Sequence, residues 1–392
     1  MARWRGGDGD DGEYAKFSKI RKKAKRVTAS RELTAEFERS EAEWALEGGA
    51  FAARVVEVHK RYCFVSREDV RGQVDTRDVW LAEVARKYLL AERRERNFVA
   101  VGDRVLCVPA PSGEKVDTKL SDLPRCVIEH AAPRTARIAR LDPHHPGMEH
   151  ALAANMDQLL IVASYLHPTV KWGLIDRYLV MAEAEGIKAI IVLTKKDLLA
   201  EEPDGEFKQQ CVETEAIYRS LGYDVFSVRA NAEGARRTKE FKRLKELLDG
   251  KITLLSGHSG VGKSSVVNQF DPEIVQPVEE NDDIFYKGRH TTTYASFIRL
   301  GTGGYVIDTP GIRSFTFHEK TAIELSHCFV EFRPLMGQCK FRECRHMDEP
   351  GCVVRDAVEA GTISKWRYRS YLGILLGATG REGRIRDLPL DE

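Results

Sequence analysis

The chain has 392 residues, 61 Lys/Arg against 60 Asp/Glu, and 42% hydrophobic residues. That length holds two or three domains with sizeable cores, and no run of about eighteen apolar residues offers a membrane span. The charged, Gly-rich start has no apolar signal-peptide core, and of the eight cysteines three cluster with a histidine, which reads as one metal site in a reducing compartment and not as a disulfide framework.

Residues 1–45 begin Gly- and Asp-rich and then turn basic: Tyr14 to Arg31 carries eight Lys/Arg and no acid. Such a stretch reads as a solvated, flexible tail or as a polyanion-binding arm that orders on nucleic acid. Over 46–135 the pattern becomes short alternating strands. Candidates are Phe51 to Val58, Tyr62 to Val65, Val70 to Val74, Val101 to Val108 and Cys126 to Glu129, with turn signals at Gly72, Gly102 and Pro109 to Gly113. Short strands in this arrangement predict a small barrel of the OB type, which binds RNA on a basic, aromatic face. Arg54, Lys60, Arg61, Tyr62, Phe64, Arg67 and Arg71 are the candidates for that face. Between strands, residues 77–96 read as a helical insertion with apolar Val79, Trp80, Val84, Tyr88 and Leu89.

From 136 to 318 strands and helices alternate. Gln158 to Ala163, Ile187 to Leu193, Asp224 to Val228 and Ile252 to Leu255 read as buried strands; Leu174 to Glu185, Phe207 to Leu221 and Arg236 to Leu248 read as helices. This alternation predicts a mostly parallel sheet covered on both faces. Ala295 to Leu300 and Gly304 to Asp308 are expected to form an antiparallel hairpin at its edge.

The chemistry centres on Gly257-His258-Ser259-Gly260-Val261-Gly262-Lys263-Ser264, which fits G-x-x-x-x-G-K-[ST] between a strand and a helix. Glycines let the backbone wrap a phosphate, Lys263 reaches the β and γ oxygens, Ser264 binds Mg²⁺, and Ser265 continues the helix start. Downstream, Gly288-Arg289-His290-Thr291-Thr292-Thr293 offers a second Mg²⁺ ligand from one of its threonines, taken as Thr292. Asp308-Thr309-Pro310-Gly311 follows a strand, so Asp308 can hold Mg²⁺ through water and Gly311 can present its N–H to the γ-phosphate. Upstream, Thr194-Lys195-Lys196-Asp197 resembles the guanine-reading N-K-x-D, with Thr194 in place of Asn. The carboxylate of Asp197 can accept both donors of guanine, the Lys195 stem can lie over the base, and adenine is rejected by unpaired buried groups. Ser227, after the next strand, is the candidate for covering the guanine oxygen.

Guanine motif first, then phosphate loop, threonine loop and D-x-x-G is a circular permutation of the usual GTPase order. Each motif stays at the carboxyl end of its own strand, so the site survives. The G-V-G-K-S-S, G-R-H-T-T-T and D-T-P-G-I segments resemble the circularly permuted ribosome small-subunit-dependent GTPase A family. The resemblance covers residues 50–375. It implies a cytoplasmic, monomeric enzyme, free of membranes, that binds GTP, GDP, the small ribosomal subunit and its rRNA and hydrolyses GTP in late subunit assembly. It also implies slow turnover until the subunit stimulates it. Ile312 stands where other GTPases carry a catalytic Gln, and the family's replacement falls on His290 as the group that positions water.

Residues 319–392 carry Cys339, Cys344, His346 and Cys352, a three-thiolate, one-imidazole set suited to one structural Zn²⁺. A basic aromatic helix begins at Ser364. The expected architecture is multidomain: an OB-like β-barrel, a circularly permuted α/β P-loop GTPase domain, and a small α-helical zinc-binding C-terminal domain. Two other readings remain at this level: an RNA-binding assembly scaffold with little turnover, and an ATP-using P-loop enzyme.

Overall fold

The computed structural model describes residues 49–59, 62–69, 71–85, 98–110, 123–141, 149–232, 234–270, 295–301, 303–309 and 321–378. The basic arm 1–45 lies outside them, as do the threonine loop and Gly311.

Five strands, β1 (Phe51–Val58), β2 (Cys63–Glu68), β3 (Val74–Val84), β4 (Arg104–Pro109) and β5 (Arg125–Ala131), close into a barrel. The order runs β1-β2-β3-β5-β4 and returns to β1, with only the β3–β5 pair parallel. Ala53, Val55, Val65, Val105 and Ile128 point inward together with Cys63, Cys107 and Cys126. Closure pairs the first half of β1 with β4, which limits the free edge of a sheet this small.

Two expectations fail here. Residues 71–73 are not strand: the Asp69 carboxylate accepts from the N–H groups of Arg71 and Gln73, and Gly72 turns at φ 72°. Residues 77–84 are not helix but the second half of β3. Leu81 and Ala82 pair with Phe64 and Cys63 of β2, and the same segment pairs with β5. The apolar spacing is compatible with a helix, but Val79–Ala82 pair with β2 and Leu81–Val84 with β5, and that ladder holds the segment extended. Part of the proposed RNA face is also committed elsewhere. Arg54 is paired with Glu68 at 2.5 Å and Phe64 is core, whereas Arg67 lies over the rings of Phe51 and Trp80.

A ribbon of β6 (Arg137–Leu141) and β7 (Glu149–Ala154) leads into the second unit. There follow β8 (Gln158–Ser164), α1 (Trp172–Glu185), β9 (Lys188–Thr194), α2 (Lys196–Glu201), α3 (Gly205–Ser220), β10 (Asp224–Ser227), α4 (Lys239–Leu248), β11 (Ile252–Ser256), α5 (Lys263–Asn268), β12 (Ser296–Arg299) and β13 (Tyr305–Asp308). The sheet order is β10-β9-β8-β11-β13-β12, parallel except for β12. Alternate residues of each strand serve opposite faces. Leu159, Ile161, Ile191 and Leu254 pack under α1 and α3, and Leu160, Val162, Ile190 and Leu255 pack under α4 and α5. That is why these strands read as continuous apolar runs. Helix starts follow local capping: the Asp204 side chain accepts from the N–H groups of Glu206 and Phe207, and that of Thr238 from Phe241.

The β12–β13 hairpin forms as expected, but β12 is not an edge. Ser296 pairs with Glu57 of β1, so barrel and parallel sheet are one eleven-stranded surface. The Tyr305 hydroxyl strengthens the join, accepting from the N–H of Val74 at 2.7 Å and donating to its carbonyl at 3.2 Å.

The C-terminal unit comprises α6 (Ala322–His327), a 3₁₀ turn at Val330–Leu335, α7 (Val353–Glu359) and α8 (Lys365–Ala378). A Thr321–Glu324 capping box opens it. Its core of Leu325, Phe329, Phe332, Tyr371 and Leu372 includes Val180 of α1. Arg367, 1% exposed, reaches Asp176 of α1 at 2.5 Å and Glu331 at 2.7 Å.

Candidate functional site

Because β8, β9, β11 and β13 are parallel, their carboxyl ends meet on one side. Thr194 is in register with Ser164, Ser256 with Ile161, and Asp308 with Leu255. The phosphate-loop candidate fills the turn from β11 into α5. A Cβ on Gly257 would meet the Val162 carbonyl oxygen at 2.1 Å, and Gly260 and Gly262 sit at φ 74° and 89°. Only glycine accepts that approach and those angles without strain. Val261 is buried beneath the loop. The Lys263 ammonium donates to the carbonyls of Gly257 (3.2 Å) and His258 (3.0 Å), so it curls over the loop from which it springs. Nδ1 of His258 lies 3.0 Å from the carbonyl oxygen of Ser259. Ser264 and Ser265 stand in the first turn of α5.

The guanine-motif candidate meets this loop from β9. The Thr194 hydroxyl donates to the Val261 carbonyl at 2.5 Å. Lys195 takes a left-handed backbone at φ 57°, and its ammonium donates to Gly260 O at 2.9 Å and to His167 O. Lys195 therefore ties two loops together at its tip. Burial lowers its pKa, and the neighbouring Asp197 carboxylate works the other way. Asp197 stands half-buried in the first turn of α2. Thr194, Lys195, Asp197, Arg229, Ala230, Asn231, Ala232, Gly262 and Ser265 line a cleft enclosing about 580 Å³ of space open to solvent. The cleft has a carboxylate on one wall, small residues on another and the phosphate loop at its foot.

Ser227 does not face this cleft. β10 ends at Ser227, whose hydroxyl lies 2.6 Å from that of Tyr165 and donates to Glu215 of α3 at 2.9 Å, lining a different cleft. The buried Glu215 carboxylate takes the hydroxyl because it needs polar partners. The cleft is lined instead by the loop Arg229–Ala232, fastened by the Gln269 amide donating to Ala230 O at 2.7 Å. The signal available in the sequence was the small-residue run Ala230-Asn231-Ala232 just beyond the strand.

Asp308 ends β13 at 6% exposure, beside Leu255 at the head of the phosphate loop. His290, Thr292 and Gly311 lie outside the described residues.

The second centre is in the C-terminal unit. One ligand atom from each of Cys339, Cys344, His346 and Cys352 lies within 4.8 Å of all the others. Nδ1 of His346 is 3.6 Å from the Cys339 sulfur and 3.3 Å from that of Cys352. A tetrahedron with metal bonds of about 2.0–2.3 Å has edges of roughly 3.3–3.8 Å, which the two His346 spacings match, and three thiols with one imidazole could hold one ion such as zinc. The scaffold holds the ligands from outside: the Tyr368 hydroxyl donates to His346 O and that of Tyr371 to Arg345 O, both at 2.6 Å. His346 itself has φ 57°. Burial pushes the Cys344 thiol up to about 12 and lowers the pKa of His346. A bound cation would reverse the first effect by stabilising thiolate. Among the described residues no helix is long and apolar enough to cross a membrane.

A family model described as RsgA GTPase matches residues 131–318. The protein named small ribosomal subunit biogenesis GTPase RsgA 1 from Vibrio parahaemolyticus is 40% identical over 304 residues, covering 77% of this chain and 79% of that relative. The Haemophilus influenzae protein named small ribosomal subunit biogenesis GTPase RsgA is 37% identical, over 71% and 75% of the two chains. The crystal structure of YjeQ from Thermotoga maritima aligns with TM-score 0.60 at 30% identity, covering 85% of this chain and 99% of that one. The fold is also that of YloQ, described as a circularly permuted GTPase, with TM-score 0.59 at 24% identity over 85% and 96% of the chains.

Proposed function

Because the chain belongs to the RsgA GTPase family, we propose that it binds the small ribosomal subunit and hydrolyses GTP to GDP and phosphate during that subunit's late maturation. The relatives named for small-subunit biogenesis support this reading. The observation that carries it is the cleft in which Asp197 and the Arg229–Ala232 loop stand over the phosphate loop, the two halves joined through Thr194 and Val261.

In this reading Asp197 accepts the two guanine donors, and backbone N–H groups of the Arg229–Ala232 loop approach the guanine oxygen. The Gly257–Gly262 turn holds the phosphates. Lys263 leaves its two loop carbonyls for the β and γ oxygens, exchanging neutral acceptors for charged ones. Ser264, Thr292 and Asp308 would hold Mg²⁺, whose charge would offset that building on the phosphate oxygens. Gly311 offers its N–H to the γ-phosphate. His290 positions the attacking water; as water bonds to the γ-phosphorus, the bridging oxygen leaves with GDP. The Cys339, Cys344, His346 and Cys352 set holds one structural Zn²⁺. The enzyme works in the cytoplasm as a monomer and touches rRNA.

The test is single-turnover GTP hydrolysis with small subunits, with large subunits and with neither. Strong stimulation by small subunits alone is expected. A rate indifferent to all three, or equal competition by ATP for the cleft, overturns the reading.

A further inference from the structure

Among the described residues only two large apolar side chains are strongly exposed, Val212 and Phe341. Phe341 is 46% exposed and sits between two metal-ligand candidates, in the run Cys339-Lys340-Phe341-Arg342-Glu343-Cys344. A ring this exposed contributes little to the fold of its own unit, whose core is built from Phe329, Phe332 and Tyr371 instead.

The knuckle around the ring is stiff. The Cys344 N–H donates to Phe341 O at 3.3 Å, and the Lys340 N–H donates to Gly351 O at 3.1 Å. The ring is thus carried on a turn pinned at both ends, so an incoming partner does not have to order it. Its neighbours are cationic. The Lys340 ammonium stands 5.7 Å from the ring centroid, and Lys340, Arg342 and Arg345 are all exposed. Arg345 shares its charge with Glu349 at 3.7 Å, and Glu343 is the single acid inside the run. Lys340 and Arg342 show no carboxylate partner among the described residues.

We infer that Phe341 is a stacking platform for an unpaired RNA base, with Lys340 and Arg342 holding the flanking phosphates. The chemistry favours nucleic acid. A planar ring takes the face of any base, and cations on either side follow the backbone. A protein partner would instead need a broader apolar patch, and the residues beside Phe341 are charged. This inference rests on the small-subunit reading above and names where the C-terminal unit grips that partner's RNA.

Three full-length proteins test it: the parent, Phe341→Ala and Phe341→Tyr, each checked for metal content and GTP affinity, which are expected to match. Binding is measured to purified small subunits and, separately, to a fluorescent single-stranded oligoadenylate. The Ala variant is expected to bind both about tenfold more weakly, or about 1.4 kcal/mol, and the Tyr variant to bind as the parent does. Ala binding both probes as the parent does overturns the inference. Weaker binding of Ala to subunits with unchanged oligoadenylate binding also overturns it, in favour of a protein contact. If the parent binds no small subunits, the functional reading fails while the oligoadenylate result still decides the stacking role.

Discussion

The Thr194 hydroxyl donates to the backbone carbonyl of Val261 at 2.5 Å, clamping the base-reading loop onto the phosphate loop across 67 residues of chain. Thr194 is 1% exposed, so this bond is made without competition from water. The threonine that replaces the usual asparagine thus keeps a loop-joining role. Thr194→Val preserves shape and removes the donor, at a cost of about 1 kcal/mol. GTP affinity is expected to fall about fivefold with the fold intact, as read by fluorescent-nucleotide titration alongside circular dichroism. Unchanged affinity would show that the clamp is idle.

Asp197→Asn places an amide donor where guanine presents donors. Selectivity for GTP over ATP is expected to drop by about two orders of magnitude, while xanthosine triphosphate, with a carbonyl at that edge, gains. Competition titrations with the three nucleotides measure this.

Lys263 and His290 are expected to separate binding from chemistry. Lys263→Ala weakens nucleotide binding itself, because the ammonium holds phosphates in ground and transition states alike. His290→Ala should keep GTP and subunit binding and lose ten- to a hundredfold of the stimulated rate, about 1.4–2.7 kcal/mol of barrier. Single-turnover rates at saturating subunit separate the two. Full stimulation in His290→Ala would mean that another group positions the water.

Metal binding is expected to be acid-labile. Burial lowers the His346 pKa from its ordinary 6.5, so the unfolded chain binds the proton more readily than the folded one. The stabilising contribution of neutral His346 is therefore complete above about pH 6.5 and is lost as pH falls. The thiols, Cys344 among them, must also surrender protons to a cation, which adds to the same pH trend. Metal analysis after dialysis should show one zinc near pH 7.5 and loss on acidification below about pH 6. Cys344→Ser should release the ion at neutral pH and loosen the C-terminal unit with GTP affinity retained. Protein purified without chelators that contains no zinc would count against this assignment.

Arg367→Met strands two carboxylates, Asp176 and Glu331, in the seam between α1 and the C-terminal unit. Removing one partner of a buried ion cluster costs about 3–5 kcal/mol. Denaturant unfolding is expected to show that loss, and Asp176→Asn in the same chain should recover part of it. A cost under about 1 kcal/mol would indicate that water enters the seam.

Contiguous chemistry is legible in the residues alone. The spacing of Gly257, Gly260, Gly262 and Lys263 already contains the turn that wraps a phosphate, because each glycine answers a backbone requirement within a few residues. The Thr194–Asp197 run is legible because it ends a buried strand. The four metal-ligand candidates lie within one short loop, so their meeting needs no distant partner. Tertiary structure decided the rest. Residues 79–84 are strand because β2 pairs with Val79–Ala82 and β5 with Leu81–Val84. The Arg229–Ala232 loop, and not Ser227, faces the cleft because Glu215, twelve residues away on α3, claims the Ser227 hydroxyl. The pairing of Ser296 with Glu57, and of Arg367 with Asp176, joins residues 239 and 191 apart in the chain. A local pattern encodes which groups a segment offers. Which partner accepts them is decided by competition among surfaces that meet only when the chain has folded.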